Sequence, residues 1–131
     1  VHPADAYLRR RVNVLVYLNK DWQESYKGQL ELWDQKMKSC KTKVNPIFNR
    51  CVIFNTDPGS YHGHPEPMEC PIGETRKSLA LYYYTREKEP VKILSTEYRP
   101  RPDDSGIKAF FIFLDKMLLR TIDRIRRLFN E

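Results

Sequence analysis

Residues 12–22 read V-N-V-L-V-Y-L-N-K-D-W, and this stretch decides the fold class. Val12, Val14, Val16 and Leu18 alternate with Asn13, Leu15 and Tyr17. Side chains on an extended backbone point to opposite sides in turn, so a period of two reads as a strand with one apolar face. Tyr17 then shares the other face with Asn13. Asn19-Lys20-Asp21 follows as a turn.

Working outward, residues 30–33 fit a second short strand, and the Lys-rich stretch 34–43 reads as a surface loop. Residues 46–55 form a third strand, which Thr56-Asp57-Pro58-Gly59 breaks. The next twenty residues hold Pro58, Pro65, Pro67 and Pro71 with His62 and His64, and read as irregular. Residues 76–85 are a fourth strand, with Arg76, Ser78, Ala80, Tyr82 and Tyr84 on one face. From residue 107 to 129 the apolar residues Phe110, Phe111, Leu114, Leu118, Ile122, Ile125 and Phe129 recur at helical spacing. The spacing predicts a helix over about 106–129, with Ser105 near its start and Lys108, Lys116, Arg120, Arg124 and Arg127 on its other face. Docking of that helix on a sheet is the reading; a basic amphipathic helix lying on an anionic membrane is its rival.

Length and composition narrow the classes. A chain of 131 residues has room for one core, and 40% hydrophobic residues beside 31% charged ones argue for a folded domain. No repeat is present, which excludes solenoids. The formal charge of +6 fits a solvated face or substrate steering, and no nucleic-acid-reading motif accompanies it, so no specific nucleic-acid partner is expected. Cys40, Cys51 and Cys70 form no CxxC pair, which points to free thiols in a reducing, cytoplasmic setting. The longest apolar runs, 14–18 and 109–114, fall far short of the roughly 20 residues of a membrane span. There is no Gly-rich phosphate loop and no Ser/His/Asp order, which counts against nucleotide-dependent enzymes and hydrolases.

Two features carry chemistry. His62 and His64 form a His-x-His pair in a Gly/Pro-rich loop; such a pair alone is a weak metal signal, and a plain surface loop stands beside it as a reading. Arg76, at the head of a small-residue strand face, has the planar fork that binds a carboxylate, with a sheet-edge cation as the bland alternative.

The stretches V-N-V-L-V-Y-L-N-K-D-W (12–22), K-G-Q-L-E-L-W-D (27–34), F-N-R-C-V-I-F-N-T-D (48–57), Y-H-G-H-P-E-P (61–67) and R-K-S-L-A-L-Y-Y-Y-T (76–85) together resemble the Fe(II)/2-oxoglutarate-dependent dioxygenases of the prolyl 4-hydroxylase type. They look closest to the branch of the hypoxia-inducible-factor prolyl hydroxylases and their bacterial relatives. The resemblance covers residues 8–86. It implies a double-stranded β-helix, or jelly roll, in which His62 is the late iron ligand, Arg76 grips the distal carboxylate of 2-oxoglutarate and Tyr17 helps to hold it. It further implies Fe(II), 2-oxoglutarate and O₂ as cofactor and cosubstrates, with ascorbate as a stimulant. The implied reaction hydroxylates a prolyl residue of a protein or peptide, a small molecule being the alternative, and releases succinate and CO₂.

The family's His-x-Asp pair has no match here. His2 and Asp5 are spaced His-x-x-Asp, and on a strand positions i and i+3 point to opposite sides. The expectation is that the true pair lies upstream of Val1. Four strands are also too few for a jelly roll, which needs eight. The sequence is therefore read as mainly β: residues 1–90 a C-terminal, partial double-stranded β-helix of an oxygenase, and 91–131 an extension carrying the amphipathic α-helix. A truncated or degenerate non-catalytic binding module of the same fold is the alternative.

Overall fold

A computed structural model of the chain describes residues 6–91 and 99–129, with the side chains of the final helical turns described in part. His2 and Asp5 lie outside the described residues. The chain divides into two compact units, Val1–Ile93 and Leu94–Glu131.

The first unit is built from β1 (Leu8–Tyr17), a 3₁₀ turn (Glu24–Tyr26), β2 (Leu30–Trp33), β3 (Cys40–Val44), β4 (Arg50–Asn55), β5 (His62–Gly63) and β6 (Ser78–Arg86). They form two three-stranded sheets, ordered β4-β1-β6 and β3-β2-β5. Every pairing within them is antiparallel. This mainly β architecture with one C-terminal helix is consistent with a jelly-roll-type fold. The aromatic ring of Phe54 on β4 meets the imidazole of His62 on β5 edge-on at 4.6 Å, which links one sheet to the other.

β1 is the central strand of its sheet. Asn13 lies opposite Phe54 and Tyr82, Leu15 opposite Val52 and Ala80, and Tyr17 opposite Arg50 and Ser78, so these residues share one face. The buried residues of β1 are Asn13 and Tyr17, while Val12, Val14 and Val16 are only half-buried. The apolar alternation thus predicts the strand correctly, but the more deeply buried face is the one with the polar groups. A strand under pure packing would turn its valines inward; this one turns an amide and a phenol inward.

Two stretches expected to be irregular contain strands. β3 lies inside the Lys-rich segment 34–43, extending to Val44. Its register is held by charge, since Lys43 faces Glu31 across the β2–β3 pair with Nζ to Oε1 at 2.8 Å. Glu31 is buried and also accepts from Trp33 Nε1 at 2.9 Å. Apolar periodicity cannot detect a strand held that way. β5 is only two residues long, within the proline-rich segment, and pairs His62 with Leu32 and Gly63 with Glu31. Arg76 precedes β6 by two residues rather than opening it.

The turn between β2 and β3 is organised by one carboxylate. Asp34 accepts hydrogen bonds from the backbone N–H groups of Lys36, Lys38 and Ser39 and from the Ser39 hydroxyl. Those bonds hold Met37 at φ 55°, a left-handed conformation that non-glycine residues seldom adopt.

In the second unit, α1 (Gly106–Phe129) starts at Ser105, whose hydroxyl accepts the Lys108 N–H at 3.4 Å. Just before it, Asp104 accepts from Arg101 and Lys108. No helix among the described residues is long and apolar enough to cross a membrane.

Hydrogen bonds from Ser39 and Lys38 are the chief causes that lower Asp34 from 3.8 to about 2. Because the folded-state pKa lies below the unfolded one, Asp34 contributes stability above about pH 3.8 that is lost as the pH falls toward 2. Following the Asp34 carboxyl carbon by NMR should give a midpoint near 2, and Asp34→Asn should flatten the stability profile in that window.

Candidate functional site

The site begins with a buried hydroxyl. Tyr17 is 0% exposed, and its Oη has no hydrogen-bond partner. Leaving such a group dry and unpaired costs about 1–3 kcal/mol. Burial raises the Tyr17 pKa above its ordinary value, and the charge of Arg76 pulls the other way. The same neighbours appear from the other side: burial lowers the Arg76 pKa, while Tyr17 opposes that shift. A phenol donor and a half-buried guanidinium therefore stand together at the end of β1.

Arg76 is aimed by backbone. Its Nη1 donates to the Gly28 carbonyl at 2.8 Å. Gly28 has φ +73°, a conformation that favours glycine, and a Cβ there would crowd the Met68 side chain at 3.2 Å. Trp22 anchors the approach to Gly28, its Nε1 donating to the Lys27 carbonyl at 3.2 Å and its ring meeting Tyr26 edge-on at 5.5 Å.

Asn19 fixes the other side. This buried side chain donates to the carbonyls of Pro46 at 2.6 Å and Lys77 at 3.1 Å, and accepts the Lys77 N–H at 2.6 Å. One amide therefore holds both backbone groups of the residue next to Arg76. The Y-L-N-K-D-W stretch thereby acquires a division of labour: Tyr17 faces the site, while Asn19 and Trp22 fix the segments on which Arg76 rests.

His62 is exposed, with Nδ1 2.8 Å from the Ser60 carbonyl oxygen. A carbonyl can only accept, so Nδ1 carries the proton and Nε2 keeps its lone pair. His64 places Nδ1 3.0 Å from the Gln29 carbonyl, the residue after Gly28. Part of its ring remains exposed, yet burial and then the Arg76 charge hold its pKa below the ordinary value. The structure thus brings Arg76 and His64 to residues 28–29, with Tyr17 as an electrostatic neighbour of Arg76 and His62 joined to β4 through Phe54.

The phenol and the guanidinium together fit one carboxylate group. A carboxylate accepts hydrogen bonds from both a phenol and a guanidinium, and it would satisfy the orphaned Tyr17 Oη.

The wider comparison agrees with this chemistry, for residues 2–84 match the family model described as the 2OG-Fe(II) oxygenase superfamily. The chain belongs to this superfamily. No curated protein and no solved structure matches it. The family indicates a dioxygenase-type function with Fe(II), 2-oxoglutarate and O₂ as its typical cofactor and cosubstrates.

The fit to the iron is different. Among the described residues no group of three or more His, Cys, Asp or Glu could hold a metal ion. His62 offers one imidazole nitrogen, whereas a facial triad needs two histidines and a carboxylate. The described donor set is therefore short of an Fe(II) site.

The sequence singles out Tyr17, Arg76 and His62 by their chemistry; it gives no sign of Asn19 and Gly28 as the supports of Arg76. The positive φ at Gly28 is a backbone property with no periodic signal. Asn13, buried with an unpartnered Oδ1 on the Tyr17 face, was noted only as sharing that face. In the ligand-free protein Tyr17→Phe should raise stability by about 1 kcal/mol, because it removes an unpaired buried hydroxyl without emptying space. Urea denaturation of the two forms checks this, and a loss of stability would mean that the hydroxyl has a partner.

Proposed function

We propose that this chain carries the cosubstrate-binding half of a 2-oxoglutarate- and Fe(II)-dependent oxygenase of the prolyl 4-hydroxylase type, acting on a prolyl residue of a protein. On this reading residues 1–90 are the oxygenase part of a double-stranded β-helix and 91–131 an extension, in a cytoplasmic setting. Arg76 and Tyr17 bind the distal carboxylate of 2-oxoglutarate, and His62 presents Nε2 as an iron ligand. The observation that carries the reading is the buried, unpartnered Tyr17 Oη beside Arg76. Fe(II) and O₂ supply the oxidative chemistry of the family; the chain's own residues bind and orient. Arg76 neutralises the buried carboxylate, Tyr17 donates to it, and the Ser60 carbonyl fixes the His62 tautomer.

A second reading is a non-catalytic module that keeps the carboxylate pocket. The shortage of metal ligands among the described residues favours it.

Calorimetric titration with 2-oxoglutarate and assay of succinate separate the two. Removing one partner of a buried charge pair typically costs about 3–5 kcal/mol, so Arg76→Ala should weaken 2-oxoglutarate binding on the order of 10²–10³-fold. Arg76→Lys should weaken it less, and Tyr17→Phe by only about 0.5–1.5 kcal/mol. In anaerobic Fe(II) solution exposed to O₂ with proline-containing peptides, succinate formation that His62→Ala abolishes at every 2-oxoglutarate concentration supports the oxygenase. Binding without succinate supports the module. An unchanged affinity in Arg76→Ala overturns both.

A further inference from the structure

The helix α1 is strongly amphipathic. We propose that α1 is a membrane-surface element that lies along an anionic phospholipid bilayer. Its apolar side is rich in large residues that stand exposed, among them Phe110 at 56%, Phe111 at 63%, Leu118 at 60% and Ile125 at 47%. Along the same helix the sequence places Lys108, Lys116, Arg120, Arg124, Arg126 and Arg127 against Asp115 and Asp123. The 24 residues of α1 thus carry a net +4 of the chain's +6.

That charge selects the occupant. An apolar face alone would suit a partner helix or a second copy of the chain, but two copies would bring two +4 helices together, and like charges oppose that contact. An anionic bilayer offers both complements: an apolar layer for the phenylalanines and negative headgroups for the cations. Lying flat, the helix covers about 36 Å of surface at 1.5 Å per residue. Asp115, Lys116 and Arg120 interrupt its apolar run, so it is suited to lie on a bilayer rather than to span one.

The full chain, co-sedimented with vesicles of phosphatidylcholine alone or mixed with phosphatidylglycerol, tests the proposal. Binding is expected to the mixed vesicles only and should weaken as sodium chloride rises. Each of Lys116→Ala, Arg124→Ala and Arg127→Ala should lower partitioning about fivefold. Phe111→Asp and Leu118→Asp, both at exposed positions, should weaken binding at every salt concentration while leaving the circular dichroism of the chain unchanged. Inorganic phosphate at matched ionic strength should not compete. Absence of binding to the mixed vesicles, equal binding to neutral ones, or competition by free phosphate would overturn the proposal. So would self-association, abolished by Phe111→Asp, in a chain that leaves vesicles unbound.

Discussion

One side chain ties the end of the central strand to the segments that lead into both of its neighbours. Asn19 bonds the Pro46 carbonyl that precedes β4 and both backbone groups of Lys77 that precede β6. It sits two residues beyond Tyr17 on the strand that lies between β4 and β6. The central strand is thereby tied to the start of each neighbour at the end of the sheet that carries Tyr17. The ladder hydrogen bonds set the register of the sheet, but β6 begins only at Ser78, so the ladder does not reach Arg76. The Asn19 amide does that work from one side, and the Gly28 carbonyl from the other.

The inner face of this sheet places polar groups where packing alone would place apolar ones. Asn13 and Tyr17 occupy the most buried positions of β1, and each carries an oxygen without a partner. The three valines of the same strand are only half-buried, and their neighbours Ile53, Leu79 and Leu81 are exposed. A packing-driven sequence would reverse that preference. Of these two oxygens only the Tyr17 hydroxyl can donate, and with the half-buried Arg76 guanidinium it makes the kind of donor pair that a carboxylate accepts from.

The legibility of the sequence follows the same division. Period-two alternation located β1, shared-face β-disposed residues located β6, the stretches 30–33 and 46–55 contain β2 and β4, and helical spacing located α1 within a residue of its ends. β3 escaped because its register depends on a Glu31–Lys43 pair rather than on apolar alternation, and β5 because two residues are too few for any period. At the site, the phenol and the guanidinium were visible as chemical types in familiar stretches. Their scaffolding was not: Asn19 acts through three backbone groups far away in sequence, and Gly28 through a dihedral angle. Even the correct reading of β1 as a strand leaves open which face is the inner one, since alternation is symmetric between faces.

The central claim is that the neighbouring Tyr17 phenol and Arg76 guanidinium recognise the distal carboxylate of 2-oxoglutarate. The most direct measurement labels the tyrosine ring carbons with ¹³C, assigns the Tyr17 Cζ resonance by its loss in Tyr17→Phe, and titrates the chain with 2-oxoglutarate and with 2-oxobutyrate, which lacks that carboxylate. The account predicts that 2-oxoglutarate shifts the Tyr17 resonance and that 2-oxobutyrate does not. A Tyr17 resonance that moves equally with both, or with neither, would contradict it.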